Sequence, residues 1–211
     1  MDIKYLLPTS IIDSDNENII EYANGIINNC GDDPVLKAVK LYRAVRDDII
    51  YDPYTAFQLP EYYRASNVLN KGRGFCVSKA SLLCAVARAC DLPSRVGFAT
   101  VRNHLNVDRL VESLGSDLFI YHGYTEFYLN GKWLKSTPAF NKSVCKKNNV
   151  EPLEFNGYED SIFQEYDSEN NLFMEYVDYH GVYSDIPVDE IISACRKEYG
   201  TEKVDNWAKK F

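Results

Sequence analysis

The sequence predicts an α+β fold: a central buried helix packed on an antiparallel sheet. Three observations carry this. Residues 76–90 form an Ala- and Leu-rich run without Gly or Pro, apolar on most sides, as a helix enclosed by its own domain must be. Residues 121–129 and 132–137 flank Asn130-Gly131, the pair that a type I′ hairpin turn demands. The 211 residues suffice for one sizeable core, so the whole chain, 1–211, is expected to form one domain.

The elements follow in order. Residues 16–29 read as a helix, with Asp13, Ser14 or Asp15 as its cap. In the next helix Asp33 is the N-cap and Pro34 the first helical residue. Val35, Ala38, Leu41, Tyr42, Val45 and Ile49 recur there at helical spacing. Residues 51–70, rich in Tyr and Pro, predict a loop with a short helix. The apolar helix of residues 76–90 stops before Asp91-Leu92-Pro93, and 95–101 reads as a strand. In the hairpin, Leu129 faces Lys132, Tyr128 faces Trp133, Glu126 faces Lys135 and Tyr124 faces Thr137. That register puts His122 and Thr137 on one face as diagonal neighbours. Residues 141–211 are acidic and aromatic, and are expected to pack on the same domain as an extension.

Composition excludes several classes. Hydrophobic residues make up 45% and charged residues 26%, and no run approaches the ~18 apolar residues of a membrane span. The first residues lack a secretory layout, so the cytoplasm is the expected compartment. The net charge is −8, and residues 151–190 hold twelve Asp and Glu with no Lys or Arg. Such a balance argues against nucleic acid as a partner, and a solvated acidic surface is the default reading. The six cysteines include no C-x-x-C, and no histidine stands at ligand spacing from a pair, so no metal is expected. Most are expected to be small buried hydrophobes, Cys84 and Cys90 among them.

Cys76 differs from these. It follows Gly72-Arg73-Gly74-Phe75 at a loop-to-helix junction, where unpaired N–H groups and the helix dipole favour a thiolate and can hold an oxyanion. The two glycines permit a tight turn and close approach of a substrate backbone. A cysteine followed by a histidine on a hairpin strand is the plan of a thiol–imidazole pair. His104 and His180 are expected in structural hydrogen bonds.

Gly74-Phe75-Cys76 before an apolar helix, Leu92-Pro93-Ser94-Arg95, and Tyr121-His122-Gly123-Tyr124 followed by Gly131-Lys132-Trp133 resemble the transglutaminase-like superfamily over residues 35–140. The resemblance implies a papain-like α+β core and a Cys-His-Asp triad, with Cys76 as nucleophile and His122 as base. It implies activities from peptide or amide cleavage and transamidation to acyl transfer or cyclisation on carrier-bound thioesters. The substrate is therefore a peptide, an amide or an acyl thioester, the last presented by an acyl carrier protein, and no cofactor is implied. The family's aspartate position is occupied by Thr137, which brings no charge. The group that orients His122 stays open among Thr137, Asn141, Asn103 and Asp108. Carrier proteins are acidic, and Lys71, Arg73, Lys79 and Arg102 are the cations expected near the site. Loss of the aspartate also motivates a different class, a non-catalytic binding module.

Overall fold

A computed structural model describes residues 2–104, 109–163 and 165–210. Helices α1 (Glu17–Ile27) and α2 (Pro34–Asp48) open the chain. Asn16, not one of the three residues before it, caps α1 by accepting from the Asn18 N–H at 3.0 Å. Asp13 is drawn instead into a tertiary cluster. It accepts from Ser66 Oγ at 2.6 Å, the Ser66 N–H at 3.0 Å and Arg64 Nε at 2.8 Å.

Asp33 caps α2 as expected, accepting from the N–H groups of Val35 (2.9 Å) and Leu36 (3.1 Å). Replacing Asp33 by alanine removes both bonds and is expected to lower stability by about 1 kcal/mol, read as a lower urea midpoint at an unchanged slope.

Strand β1 (Ile50–Tyr51), a 3-10 turn (Pro60–Tyr62), α3 (Ala65–Lys71) and β2 (Arg73–Gly74) follow, with β1 and β2 paired in parallel. Gly72, at φ +63, ends α3 in the left-handed region where glycine carries no steric cost. Helix α4 (Cys76–Ala89) is then buried along nearly its whole length. Its outer face is covered by residues of α1, α2 and α3, including Ile19, Ala23, Leu41, Val45 and Val68.

The sheet is antiparallel, in the order β5-β4-β3-β6. It is built from β3 (Ser94–Asn103), β4 (Leu118–Leu129), β5 (Lys132–Ser136) and β6 (Met174–Tyr183). Asn130 and Gly131 both have positive φ, 50° and 83°, as a type I′ turn needs. Glu126, Tyr128 and Leu129 pair with Lys135, Trp133 and Lys132. The odd residues of β4 face α4: Thr125 Oγ1 donates to the Ala80 carbonyl at 2.9 Å, and Phe127 is fully buried in the core.

Short helices complete the chain: α5 (Arg109–Leu114), α6 (Lys142–Lys147), α7 (Val188–Tyr199), α8 (Thr201–Asp205) and a last 3-10 turn (Trp207–Lys210). Phe155, Ile186, Ile191, Cys195 and Val204 share one core cluster with α4, so the C-terminal segment is integral to the interior. Three of its carboxylates pair with cations elsewhere in the chain. Glu154 meets Arg43 and Arg46, Asp160 meets Lys135, and Glu175 meets Arg102 and His104. The acidic stretch is thus tied to the basic remainder of the chain at these three points, and most of its other carboxylates face solvent, as expected. Among the described residues no helix is long and apolar enough to cross a membrane.

Candidate active site

Cys76 is the first residue of α4, and Phe75 in the N-cap position makes no side-chain capping bond. The N–H groups of the first turn are thus left for other acceptors. The strand carrying His122 lies directly on this turn because residue 123 is glycine. A Cβ there would stand 2.8 Å from Val77 Cα, closer than real atoms pack. The approach brings the Gly123 N–H to the Cys76 sulfur.

Three backbone N–H groups, of Gly123, Val77 and Cys76, stabilise a thiolate, but burial outweighs them and pushes the thiol up to about 11. This corrects the expectation of a resting thiolate. The dipole and donors are present, and removal of water from around the sulfur exceeds their effect.

His122 is 3% exposed. Its ring lies 4.8 Å from Phe163 and, edge-on, 6.2 Å from Tyr176. This apolar enclosure disfavours the cation and lowers the imidazole to about 3. Its Nε2 is buried without a hydrogen-bond partner among the described residues. Leaving such an atom unsatisfied costs about 1–3 kcal/mol, which calls for a reason. The residue before it, Tyr121, sits at φ +56 where β3 and β4 slip register between Ala99 and Val101. Such a bulge re-aims the next side chain. Tyr121 is held there by stacking on His180 at 4.4 Å, and His180 Nε2 pairs with Thr100 Oγ1 at 2.8 Å.

Cys76 and His122 both line one cavity of about 80 Å³. Burial leaves this pair as thiol and neutral imidazole over the ordinary pH range. The pH dependence of stability follows. The unfolded imidazole takes its proton near pH 6.5, the folded one near pH 3, so between these the unfolded chain holds more protons. Stability tied to neutral His122 is complete above pH 6.5. It is lost as pH falls towards 3, at up to about 1.4 kcal/mol per pH unit. Urea midpoints at pH 7 and pH 5 check this: the drop is expected to be larger in the wild type than in His122→Leu.

The residues considered for orienting His122 are placed as follows. The β4–β5 ladder stops at Thr125 and Ser136, one step short of the expected Tyr124–Thr137 pair. The Thr137 N–H goes instead to the Ser161 carbonyl at 2.9 Å, and Thr137 Oγ1 lies 3.5 Å from Tyr176 Oη. Its hydroxyl therefore addresses a tyrosine that borders the imidazole. Asn141 is committed elsewhere: Oδ1 accepts from the Tyr51 N–H at 3.1 Å and Nδ2 donates to Ser143 Oγ at 2.7 Å. Asn103 is buried at the end of β3, its N–H on the Asp117 carbonyl at 2.8 Å. Asp108 lies outside the described residues. His104 pairs with Glu175 at 3.0 Å, a structural contact as expected.

Of the cations expected near the site, Lys79 is buried, its ammonium on the Arg46 (2.9 Å) and Ile49 (2.6 Å) carbonyls at the end of α2. Burial lowers it to about 7. Arg73 pairs with Asp52, Arg102 with Asp117 and Glu175, and Lys71 lies over the Tyr62 ring. Five cysteines are buried and Cys76 alone is partly exposed, all with free thiols.

Phe163 and the packing role of Gly123 were not foreseen in the sequence. A glycine inside a strand next to a histidine does signal close backbone approach, and could have revealed the last of these.

Comparison with known proteins bears on the fold and the family. No curated protein matches the chain. A solved structure described as that of a candidate cysteine protease from Cytophaga hutchinsonii shares the fold, with a TM-score of 0.50 at 16% identity. The similarity covers 87% of this chain and 55% of that one, so this chain spans little more than half of its length. The family model of the transglutaminase-like superfamily matches residues 20–138, more than half of the chain and both Cys76 and His122. On that match the chain belongs to the transglutaminase-like superfamily.

Proposed function

We propose that this protein is a thiol-dependent acyl-transfer enzyme with Cys76 as nucleophile and His122 as base. One observation carries the reading: a buried imidazole with an unpartnered Nε2 borders the same cavity as a thiol held by the N–H of the next residue, Gly123.

The sulfur attacks an amide or thioester carbonyl. Its proton passes to His122 as the S–C bond forms, because neither the free thiolate nor the imidazolium is favoured beforehand. The N–H groups of the uncapped first turn of α4, Cys76 and Val77, hold the developing oxyanion. His122 then returns the proton to the leaving group, and water or an amine resolves the acyl-enzyme. The apolar wall of Phe163 and Tyr176 makes the transient imidazolium costly, so the proton is handed on rather than kept. The six free thiols fit a reducing compartment such as the cytoplasm.

The test is acylation. The protein is incubated with activated esters, thioesters and blocked peptides, and a mass increase is sought on Cys76. Absence of any acyl adduct or turnover across these classes would remove the reading in favour of a binding module. Three of the four cations expected to favour a carrier-bound donor are not free for docking. Lys79 is buried, and Arg73 and Arg102 are paired with carboxylates.

A further inference from the structure

The cavity beside Cys76 extends away from the reacting pair to Leu110 and Leu114 of α5, Ile191 and Cys195 of α7, and Trp207. No charged side chain lines it among the described residues. Two tyrosine hydroxyls at its wall are spent on backbone. Tyr63 Oη donates to the Phe57 carbonyl at 2.5 Å. Tyr199 Oη donates to the Leu118 carbonyl at 2.9 Å and accepts from the Ile120 N–H at 2.8 Å. The rest of the lining is mostly hydrocarbon and ring, with the Tyr51 and Tyr121 hydroxyls and the Cys195 thiol among it.

We infer that this cavity seats the acyl side of the substrate, and that the acyl group is a short aliphatic chain. The inference rests on the acyl-transfer reading above and deepens it. A charged or strongly polar acyl end would be stripped of water there with no partner, at a cost of several kcal/mol, whereas each buried methylene gains. Size sets the other limit. The volume, about 80 Å³, is roughly half of the ~150 Å³ apolar cavity that admits benzene. A propyl or isobutyl group fits this space. Most of the wall lies within the matched segment, 20–138, and Ile191, Cys195, Tyr199 and Trp207 close one side of it from the C-terminal elements.

With a thioester donor the balance is simple. The Cys76 S–C bond forms as the donor's C–S bond breaks, and the proton leaves Cys76 through His122 to the departing thiolate.

The experiment compares N-acetylcysteamine thioesters of acetate, butyrate and succinate, reading the rate of acyl-Cys76 formation by intact mass. Butyryl is expected to transfer roughly tenfold faster than acetyl, from two more buried methylenes. Succinyl, of similar length but charged, is expected to transfer at least tenfold slower than butyryl. Ile191→Phe, which fills the cavity, is expected to bring the butyryl-to-acetyl ratio towards one, with folding checked by thermal melting. If that variant does not fold, the wild-type butyryl-to-succinyl ratio decides alone. Equal butyryl and succinyl rates overturn the inference and leave acyl transfer standing. No adduct from any thioester or from p-nitrophenyl acetate overturns the acyl-transfer reading and the inference with it. The N-acetyl-leucine thioester separates two sources of the aliphatic group. Transfer alongside butyryl assigns it to a peptide side chain, and transfer of butyryl without it assigns a plain acyl chain.

Discussion

Cys76→Ala is expected to abolish acyl-enzyme formation at that position and to lower turnover by roughly 10⁴-fold or more, since the remaining thiol of the cavity, Cys195, lies inside α7 without the N–H groups of a helix start. His122→Ala is expected to cost roughly 10²–10⁴-fold in the acylation rate, the usual contribution of a positioned base. Both variants should stay folded: Cys76 faces a cavity, and removing the imidazole removes a buried, unsatisfied nitrogen. The resting chemistry makes a second, sharper statement. With the thiol pushed up to about 11, the thiolate fraction at pH 7 is roughly two orders of magnitude below that of a free cysteine at about 8.5. Iodoacetamide should therefore modify Cys76 slowly at neutral pH, about tenfold faster for each unit up to pH 10. Alkylation does not separate an active thiol from an idle one here, and acylation does. Full turnover by Cys76→Ala on a substrate of the wild type would end the assignment.

Gly123→Ala is expected to damage stability and chemistry together. The new methyl would meet Val77 Cα at 2.8 Å, a backbone atom with no rotamer by which to yield. Strand β4 must lift from the first turn of α4, at a cost of about 1–3 kcal/mol in urea unfolding. The same displacement draws the Gly123 N–H from the sulfur and shifts His122, and a misplacement of about 1 Å in such a pair costs on the order of 10²-fold in rate. Gly25 provides the contrast. It lies inside α1 with open space where a Cβ would stand, so Gly25→Ala should stabilise by about 0.5–1 kcal/mol through helix propensity and leave acylation unchanged. Two substitutions of one chemical type, opposite in sign, separate a close-packing glycine from an incidental one.

Local chemistry was legible in the sequence where it decides structure. Asp33-Pro34 and Asn130-Gly131 gave up their roles because each has a backbone requirement that few residues meet. The run from Cys76 to Ala89 reads as a helix on composition alone, and the order of cysteine and histidine motifs points to the family. Tertiary contacts hid the rest. Asp13 has the look of a cap, and the fold uses it to bind Ser66 and Arg64, 51 and more residues away. Strand β6 escaped notice because its ladder with β3 changes register twice, between Phe98 and Ala99 and again between Thr100 and Val101, which breaks the two-residue alternation. Thr137 missed its expected partner because β5 ends one residue sooner than its pattern. The state of the Cys76 thiol depended on how fully the fold dries it. Helix position supplies the sign of one effect, and only packing supplies the size of the other.

The division at residue 138 has a consequence for how such chains diversify. The proposed nucleophile and base lie before it, with most of the cavity wall, whereas the rings that enclose the imidazole, Phe163 and Tyr176, and one side of that wall, Ile191, Cys195, Tyr199 and Trp207, come after it. Substitutions at Ile191, Tyr199 or Trp207 can thus reshape one side of the cavity while the sulfur and the imidazole keep their places.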